Sequence, residues 1–118
     1  MYSKYRNKKV KMDGYIFDSI VESERYMELR WYEKAGRILS LVVKSKYILI
    51  PKNDKFRAIE YEDDFSYREN GELIVEDVKP KFKNKKAEQR YHQTEAYRMF
   101  KVKQKLMYHI HKIEVQEV

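Results

Sequence analysis

Two carboxylates and one ammonium group are predicted to share a face of a β-hairpin in the second half of the chain. The pair Asn70-Gly71 lies between two alternating segments and is typical of a two-residue hairpin turn. Opposed residues then have numbers that add up to 141, so Asp64 faces Asp77 at about 5 Å. Lys79 lies two residues after Asp77 and therefore points to the same side of the strand.

Such a face suits a divalent metal ion and the hydrolysis of a phosphodiester. Two opposed carboxylates repel each other unless a cation lies between them, and Mg²⁺ or Mn²⁺ prefers hard oxygen ligands. The metal would lower the pKa of a bound water, while Lys79 would orient that water or offset charge on the phosphorus.

Two alternatives stay open at this point. In the first, the two aspartates, Lys79 and its predicted opposite residue Glu62 form a solvated polar face with ordinary cross-strand ion pairs. In the second, a three-residue loop shifts the pairing by one residue, which would place Asp64 opposite Glu76. A four-residue loop would preserve the pairing of Asp64 with Asp77.

A helix in the N-terminal half is expected to pack against these strands. Asp18 or Ser19 is its predicted N-cap, and Glu22 follows Ser19 by three residues as in a capping box. The helix is predicted to end near Ala35, with Gly36 in the C′ position. Apolar residues at helical spacing predict its buried stripe: Phe17, Ile20, Val21, Met27, Trp31, Tyr32 and Ala35.

The remaining patterns predict an α/β fold with a mixed sheet of four to five strands flanked by helices. The pair Asp13-Gly14 predicts a hairpin over residues 10–17, ahead of the helix. The other predicted elements are strands within 38–51, one strand over 57–68, a strand over 73–79, a lysine-rich connector over 81–86, a helix from Ala87 or Thr94 to Met107, and a strand over 113–118.

The composition favours one globular domain that binds a polyanion. The chain has 118 residues, and 26 Lys and Arg against 19 Asp and Glu leave a net charge of +7. An apolar fraction of 42% excludes a disordered basic tail. The lack of cysteine excludes disulfides, thiolate zinc sites and thiol nucleophiles, and three glycines are too few for glycine-rich nucleotide loops. Neither a signal-peptide core nor a membrane-length apolar run is present, so we expect a cytoplasmic protein without membrane contact.

Basic residues are predicted to contact DNA phosphates around the acidic centre. They occur in three clusters, so we expect backbone contacts rather than base readout. The tyrosines, 11 in number, suit base stacking, but the positions of most of them in strand and helix patterns favour core or half-buried packing. The three clusters are Lys4, Arg6, Lys8, Lys9 and Lys11; Lys79, Lys81, Lys83, Lys85 and Lys86; and Arg98, Lys101, Lys103 and Lys105.

These residues resemble the signature of the PD-(D/E)xK nucleases, in which an Asp on one strand and D-x-K or E-x-K on the next hold a metal. Over residues 10–118 the chain is similar to small phage and prophage proteins described as a domain of unknown function or as Holliday junction resolvases of that superfamily. Asp63 stands where the superfamily name has Pro. The matching segments are Phe17-Asp18-Ser19 with Glu22, Arg25-Tyr26, Glu28-Leu29, Ala35-Gly36, Ile48-Leu49-Ile50-Pro51, Asp64-Phe65-Ser66-Tyr67-Arg68 and Val75-Glu76-Asp77-Val78-Lys79.

The resemblance implies a restriction-endonuclease-like fold and metal-dependent hydrolysis of DNA. It also implies that an acid of the first helix completes the metal site, and by motif this acid is Glu22. Glu24 and Glu28 remain alternatives, because the helical wheel places both within the predicted apolar stripe.

We therefore expect residues 1–118 to form a single nuclease domain, with a basic arm over residues 1–9, that cuts a four-way DNA junction as a homodimer. The expected catalytic residues are Glu22, Asp64, Asp77 and Lys79, and the expected ligands of Mg²⁺ or Mn²⁺ are Glu22, Asp64, Asp77 and the Val78 carbonyl. The expected DNA-binding residues are Lys8, Lys9, Lys81, Lys83, Lys85, Lys86, Arg98, Lys101 and Lys105. A nuclease for flaps, nicks or nonspecific duplex, or a catalytically silent DNA-binding module, is the alternative.

Overall fold

The computed structural model describes residues 8–118, and the chain there begins with a short hairpin. Its strands are Val10–Met12 (β1) and Tyr15–Phe17 (β2). The turn residues Asp13 and Gly14 have φ values of 52° and 85°. A type I′ turn needs positive φ at both central residues, so the predicted hairpin is confirmed. Lys4, Arg6 and most of the predicted basic arm lie outside the described residues.

A mixed sheet of four strands forms the centre of the fold. After the helix Ile20–Lys34 (α1), the elements are Leu39–Val43 (β3), Lys46–Ile50 (β4), Ile59–Glu62 (β5), Phe65–Glu69 (β6), Glu72–Asp77 (β7), Lys85–His92 (α2), Glu95–His111 (α3) and Gln116–Glu117 (β8). The central sheet has the order β3-β6-β7-β8, in which only β7 and β8 are parallel. Strands β4 and β5 form a separate antiparallel pair. The predicted mixed α/β class is confirmed.

Helix α1 has the predicted ends but a different buried face. The Ser19 hydroxyl accepts the Glu22 amide at 3.2 Å, and Gly36 follows the C-cap with a φ of 78°. The buried side chains are Ser23, Tyr26 and Leu29. The predicted buried stripe is wrong for most of its residues, since Ile20, Met27, Trp31 and Ala35 are exposed.

The inward face of α1 tolerates polar atoms because each has a partner. The Tyr26 hydroxyl donates to Asp13 in the first turn at 2.7 Å, and the Ser23 hydroxyl donates to the Ile20 carbonyl at 2.7 Å. Buried polar groups cost little when they are hydrogen-bonded, so a pattern based only on apolar residues missed this face.

The single strand predicted over residues 57–68 is wrong, because the chain leaves one sheet and enters another at Asp63. The Asp63 side chain is 1% exposed. Its carboxylate accepts the Ser45 amide and the Tyr47 hydroxyl, each at 2.7 Å. Asp63 therefore ties the β3–β4 connection to the β5–β6 connection and ends the regular alternation.

The hairpin of β6 and β7 has the predicted register. Asn70 and Gly71 have φ values of 52° and 82°, and the pairs run from Glu69 opposite Glu72 to Phe65 opposite Glu76. The ladder ends there, one residue short of the predicted pair of Asp64 with Asp77.

The C-terminal part differs from its prediction in two ways. One helix was predicted, but two are present, because Asn84 caps α2 and Thr94 caps α3. The final strand is limited to Gln116–Glu117, within the predicted range of 113–118.

Two apolar clusters lie on opposite faces of the central sheet. Phe65 and Tyr67 of β6 join the cluster under α1, whereas Val75 of β7 joins the cluster under α3. Val75 pairs with Ser66 and so points away from the side of Phe65. In the part of the chain described here, no helix combines the length and apolar character that a membrane crossing needs.

Candidate functional site

Three acids gather where β6 begins and β7 ends. Asp64 directly precedes β6, Asp77 is the last residue of β7, and Glu22 lies in the first turn of α1. The charges of Asp77 and Glu22 both raise the pKa of Asp64, and the charge of Asp77 also raises that of Glu22. The fold thus brings together the three carboxylates that are far apart in sequence.

Asp64 is held against the backbone of β7. Its Oδ2 accepts the Val78 amide at 2.7 Å, and its own amide donates to the Glu76 carbonyl at 3.0 Å. Burial, followed by the charges of Asp77 and Glu22, raises the pKa of Asp64 to about 8. The Val78 hydrogen bond and the Lys79 charge oppose this rise without cancelling it. A cation placed here would relieve the repulsion.

Asp77 and Lys79 form an ion pair at the same place. The Lys79 Nζ lies 2.8 Å from Asp77 Oδ1, and each side chain is 15% exposed. The Tyr61 hydroxyl donates to Asp77 Oδ2 at 2.7 Å. The Lys79 Nζ also lies 3.2 Å from the centroid of the Phe100 ring, so a cation–π contact holds the ammonium from one side.

The parallel strand β8 fixes the backbone around this pair. The Lys79 amide donates to the Val118 carbonyl at 2.9 Å, and the Val118 amide donates to the Asp77 carbonyl at 3.0 Å. The Val78 amide points the other way, to Asp64. The segment Asp77-Val78-Lys79 therefore lies between β8 and the start of β6 in one defined conformation.

Glu22 is the helix acid that interacts with the strand acids. It is half-buried, whereas Glu24 and Glu28 are exposed, and Glu28 forms an ion pair with Arg25 at 3.2 Å. Burial, followed by the charge of Asp18, raises the pKa of Glu22. The prediction that Glu24 and Glu28 lie within a buried stripe is wrong, because α1 turns a different face inward.

The donor set suits a hard divalent cation by charge and by atom type, but it does not form a closed cage. Within residues 8–118, no three His, Asp or Glu side chains are placed to hold an ion directly. Both carboxylate oxygens of Asp77 already have partners in Lys79 and Tyr61. Mg²⁺ or Mn²⁺ bound here would act as a Lewis acid and supply a nucleophilic water. Asp64, Asp77, Glu22 and the Val78 carbonyl are the groups that would hold it.

The predicted opposition of Glu62 and Lys79 is wrong. Glu62 lies at the end of β5, is exposed, and pairs across the strands with Lys46 in the separate two-stranded sheet. The break at Asp63 moves Glu62 out of the β6–β7 ladder, so the ion pair of Lys79 is with Asp77.

Helix α1 is attached to β7 next to the acids. The Arg25 guanidinium donates two hydrogen bonds to Glu76, from Nε at 2.8 Å and from Nη2 at 2.5 Å. Glu76 is 2% exposed and also accepts the Tyr67 hydroxyl. Because Arg25 lies one turn after Glu22 and Glu76 directly precedes Asp77, this network sets the distance between the helix acid and the strand acids.

The predicted DNA-binding residues are mostly exposed. Lys101 differs, because it is half-buried and forms an ion pair with Glu117 at 3.0 Å. Lys9 pairs with Asp18 at 2.9 Å on the surface near Glu22. The exposed members are Lys8, Lys9, Lys81, Lys83, Lys85, Lys86, Arg98 and Lys105.

Two residues near the site were missed by sequence reasoning. Nothing in the sequence pairs the hydroxyl of Tyr61 with Asp77. Lys44 has a φ of 60°. After the hydrogen bond from Lys9, its charge helps to lower the pKa of Asp18, and it also opposes the rise in the pKa of Glu22. The turn at 44–45 between two aliphatic strands was the available signal for Lys44.

Comparison with known proteins gives one match. No curated protein and no solved structure matches the chain. Residues 2–115 match the family described as "Protein of unknown function (DUF1064)". Because this match covers nearly the entire sequence, the chain belongs to the DUF1064 family.

Proposed function

We propose that this protein is a metal-dependent endodeoxyribonuclease of the PD-(D/E)xK superfamily, and that it cuts branched DNA at a four-way junction. The observation that carries the proposal is the gathering of Glu22, Asp64 and Asp77 beside Lys79. Neighbouring carboxylates raise the pKa of Asp64 and of Glu22, and carboxyl groups with such raised pKa values are typical of sites that bind a metal or transfer a proton.

The residues have separate roles in this proposal. Asp64 and Asp77 bind Mg²⁺ or Mn²⁺ together with the Val78 carbonyl, and Glu22 completes the site from the helix. Lys79, held by Phe100 and Asp77, orients the attacking water or offsets charge on the phosphorus. Asp64 must lose its proton before it can bind a cation, so activity is expected to rise as the pH approaches 8.

The wider features of the chain support a DNA substrate. A net charge of +7 and the exposed lysines of the 81–86 segment favour binding to a phosphate backbone. The mixed sheet with α1 on one face is consistent with the restriction-endonuclease-like fold that belongs to this proposal. Symmetric cutting of two strands needs two active sites, so the proposal includes a homodimer, which acts in the cytoplasm.

The test is incubation of the purified protein with a synthetic four-way junction, a flap and a linear duplex, each with Mg²⁺, Mn²⁺ or a chelator. We expect paired nicks in the junction when metal is present, and none with the chelator. Asp77→Asn should abolish the nicks. Asp54→Asn is the matched control, because Asp54 is exposed in the loop after β4 and should leave cleavage unchanged.

The state of assembly is tested separately by sedimentation at the concentration used for cleavage. A monomer that still cuts would refute the assignment as a junction resolvase but would leave a nuclease for flaps, nicks or duplex. Cleavage of all three substrates at equal rates would likewise refute the assignment as a junction resolvase and leave a nuclease without preference for the junction.

A catalytically silent DNA-binding module is the second candidate. It is favoured by the lack of a closed metal cage within the described residues, where Asp77 is instead neutralised by Lys79. Tight junction binding without cleavage under any metal would favour this module over the nuclease.

A further inference from the structure

A cleft lies directly beside the acidic site. It has a volume of about 470 Å³ and is bounded by the segment after β7, helix α2, the start of α3 and the end of the chain. Lys79 lines it and also forms the ion pair with Asp77. The cleft and the acidic site therefore share one residue, and whatever fills the cleft lies next to the proposed reaction centre.

Aromatic rings form much of the wall of this cleft. The rings of His92 and Tyr97 are stacked, with centroids 4.3 Å apart and an angle of 21°. Tyr91 lies 5.3 Å from both Phe82 and Tyr97. All four side chains are half-buried, and Tyr97 also packs against the apolar cluster under α3. Half-buried positions agree with the packing expected of the tyrosines, and they leave part of each ring accessible from the cleft.

The charge of the cleft suits a phosphate group. Lys79 is paired with Asp77 and Glu117 with Lys101, so the charges left in the lining are those of Lys81 and Lys85 against that of Glu88. Glu117 forms its ion pair with Lys101 at 3.0 Å and also accepts a hydrogen bond from the Tyr97 hydroxyl at 2.9 Å. Lys81 and Lys85 are exposed and have no ion pair within residues 8–118.

We propose that this aromatic cleft binds one unstacked nucleotide of the DNA strand next to the phosphate that is cut. The base would lie against the aromatic rings, and its phosphate would contact Lys81 and Lys85. This inference rests on the proposed nuclease function, because it takes DNA as the substrate.

The shape of the site favours a single nucleotide over an intact duplex. Aromatic faces within a cleft can reach only a base that has left the helical stack, and stacking on such rings is tolerant of base identity. A volume of about 470 Å³ is in the range of pockets for small ligands and is too small for a base pair with its two backbones. A four-way junction can keep all its bases paired, so binding in the cleft requires that one nucleotide at the branch leaves the stack.

The test separates base stacking from phosphate binding. In chelator and low salt, the affinity of the intact protein is measured for a single strand of about 12 nucleotides and for an abasic strand of equal length and charge. The wild-type protein should bind the strand that carries bases about fivefold more tightly or better, because only that strand can stack.

Two variants and one control locate the effect. Tyr97→Leu and Phe82→Leu should each reduce the preference for bases, since each removes a ring of the cleft. Tyr108→Leu should retain it, because Tyr108 is exposed on the same helix as Tyr97 but outside the cleft. Circular dichroism melting shows whether each variant is folded. The comparison of the two strands with the wild-type protein does not depend on the folding of any variant.

The outcomes distinguish this inference from the proposed function. Equal affinity of the wild-type protein for both strands would overturn the cleft assignment while leaving DNA binding intact. A preference that both cleft variants retain in full would also overturn it. Binding of neither strand at low salt would overturn it as well, whereas the proposed function is refuted only if the protein does not cut DNA with Mg²⁺ or Mn²⁺.

Discussion

The Asp64 carboxylate accepts a hydrogen bond from the Val78 amide at 2.7 Å. This contact ties the acid that precedes β6 to the backbone between Asp77 and Lys79. The regular ladder has already ended at Phe65 and Glu76, so the side chain of Asp64 takes the place of the next strand pair. The two acids are therefore positioned by a side-chain contact rather than by strand pairing.

The first prediction concerns the stability of the metal-free protein. Asp64 has an ordinary pKa of 3.8 that burial and neighbouring charges raise to about 8 in the folded state. Between these values the folded state holds a proton that the unfolded state has released, so the free energy of unfolding falls as the pH rises. We expect a loss of about 1 kcal/mol or more between about pH 5 and pH 8, measured by urea denaturation in chelator.

The variant Asp64→Asn should remove most of this slope, because the amide cannot ionise but can still accept the Val78 amide. Asp54→Asn, in an exposed loop, should show the wild-type profile. Identical profiles for Asp64→Asn and wild type would contradict the prediction.

The second prediction concerns cation binding, apart from any reaction. Because Asp64 must release its proton, Mn²⁺ should bind more tightly as the pH rises toward 8, by about tenfold per unit. Calorimetry in buffers of different ionisation enthalpy should detect the release of about one proton per ion. An affinity that does not change between about pH 6 and pH 8 would count against Asp64 as a ligand.

The third prediction concerns Tyr61, which donates to Asp77 at 2.7 Å and is 4% exposed. Tyr61→Phe leaves the Asp77 carboxylate held only by Lys79. We expect a loss of about 1 kcal/mol in stability and a fall of about tenfold in the rate of cleavage under single-turnover conditions.

Tyr47→Phe is the matched control for this change. The rings of Tyr47 and Tyr61 are stacked at 6.2 Å, but the Tyr47 hydroxyl donates to Asp63 rather than to Asp77. It should lose similar stability while cleaving at the wild-type rate. An equal effect of both variants on the rate would show that Tyr61 acts only through stability.

The fourth prediction concerns the attachment of α1 to β7. Arg25→Leu leaves Glu76 buried without its cation, so we expect a loss of about 3 to 5 kcal/mol, measured by urea denaturation. The double variant Arg25→Leu with Glu76→Gln should recover part of the lost stability, since the amide removes the buried charge and still accepts the Tyr67 hydroxyl.

Glu28→Gln tests the exposed partner of Arg25. Glu28 is solvent-exposed, so its removal should cost less than about 0.5 kcal/mol. If Glu28→Gln were as damaging as Arg25→Leu, the stabilising contact would lie on the surface of α1 rather than at Glu76.

The local signals in the sequence predicted the turns, the cap of α1 and the register of the β6–β7 hairpin. Each depends on residues close together in the chain: Asp13-Gly14, Ser19 with Glu22, and Asn70-Gly71. Positive φ and capping are properties of a few neighbouring residues, so these predictions needed no tertiary information.

The buried face of α1 could not be predicted in this way. Its position depends on partners from distant segments, such as Asp13 for Tyr26 and Glu76 for Arg25. The break at Asp63 likewise exists because its carboxylate accepts the Ser45 amide and the Tyr47 hydroxyl. The spacing of apolar residues along the chain does not indicate polar contacts between distant segments.

The sequence by itself determined which groups are available, namely Asp64, Asp77 and Lys79 near one hairpin and an excess of positive charge. Only the tertiary structure decided which helix acid joins them, that Tyr61 and Phe100 hold Asp77 and Lys79, and that an aromatic cleft lies beside them. The physical reason is that spacing in the chain sets local geometry, whereas burial and charge at a site depend on every segment that packs against it.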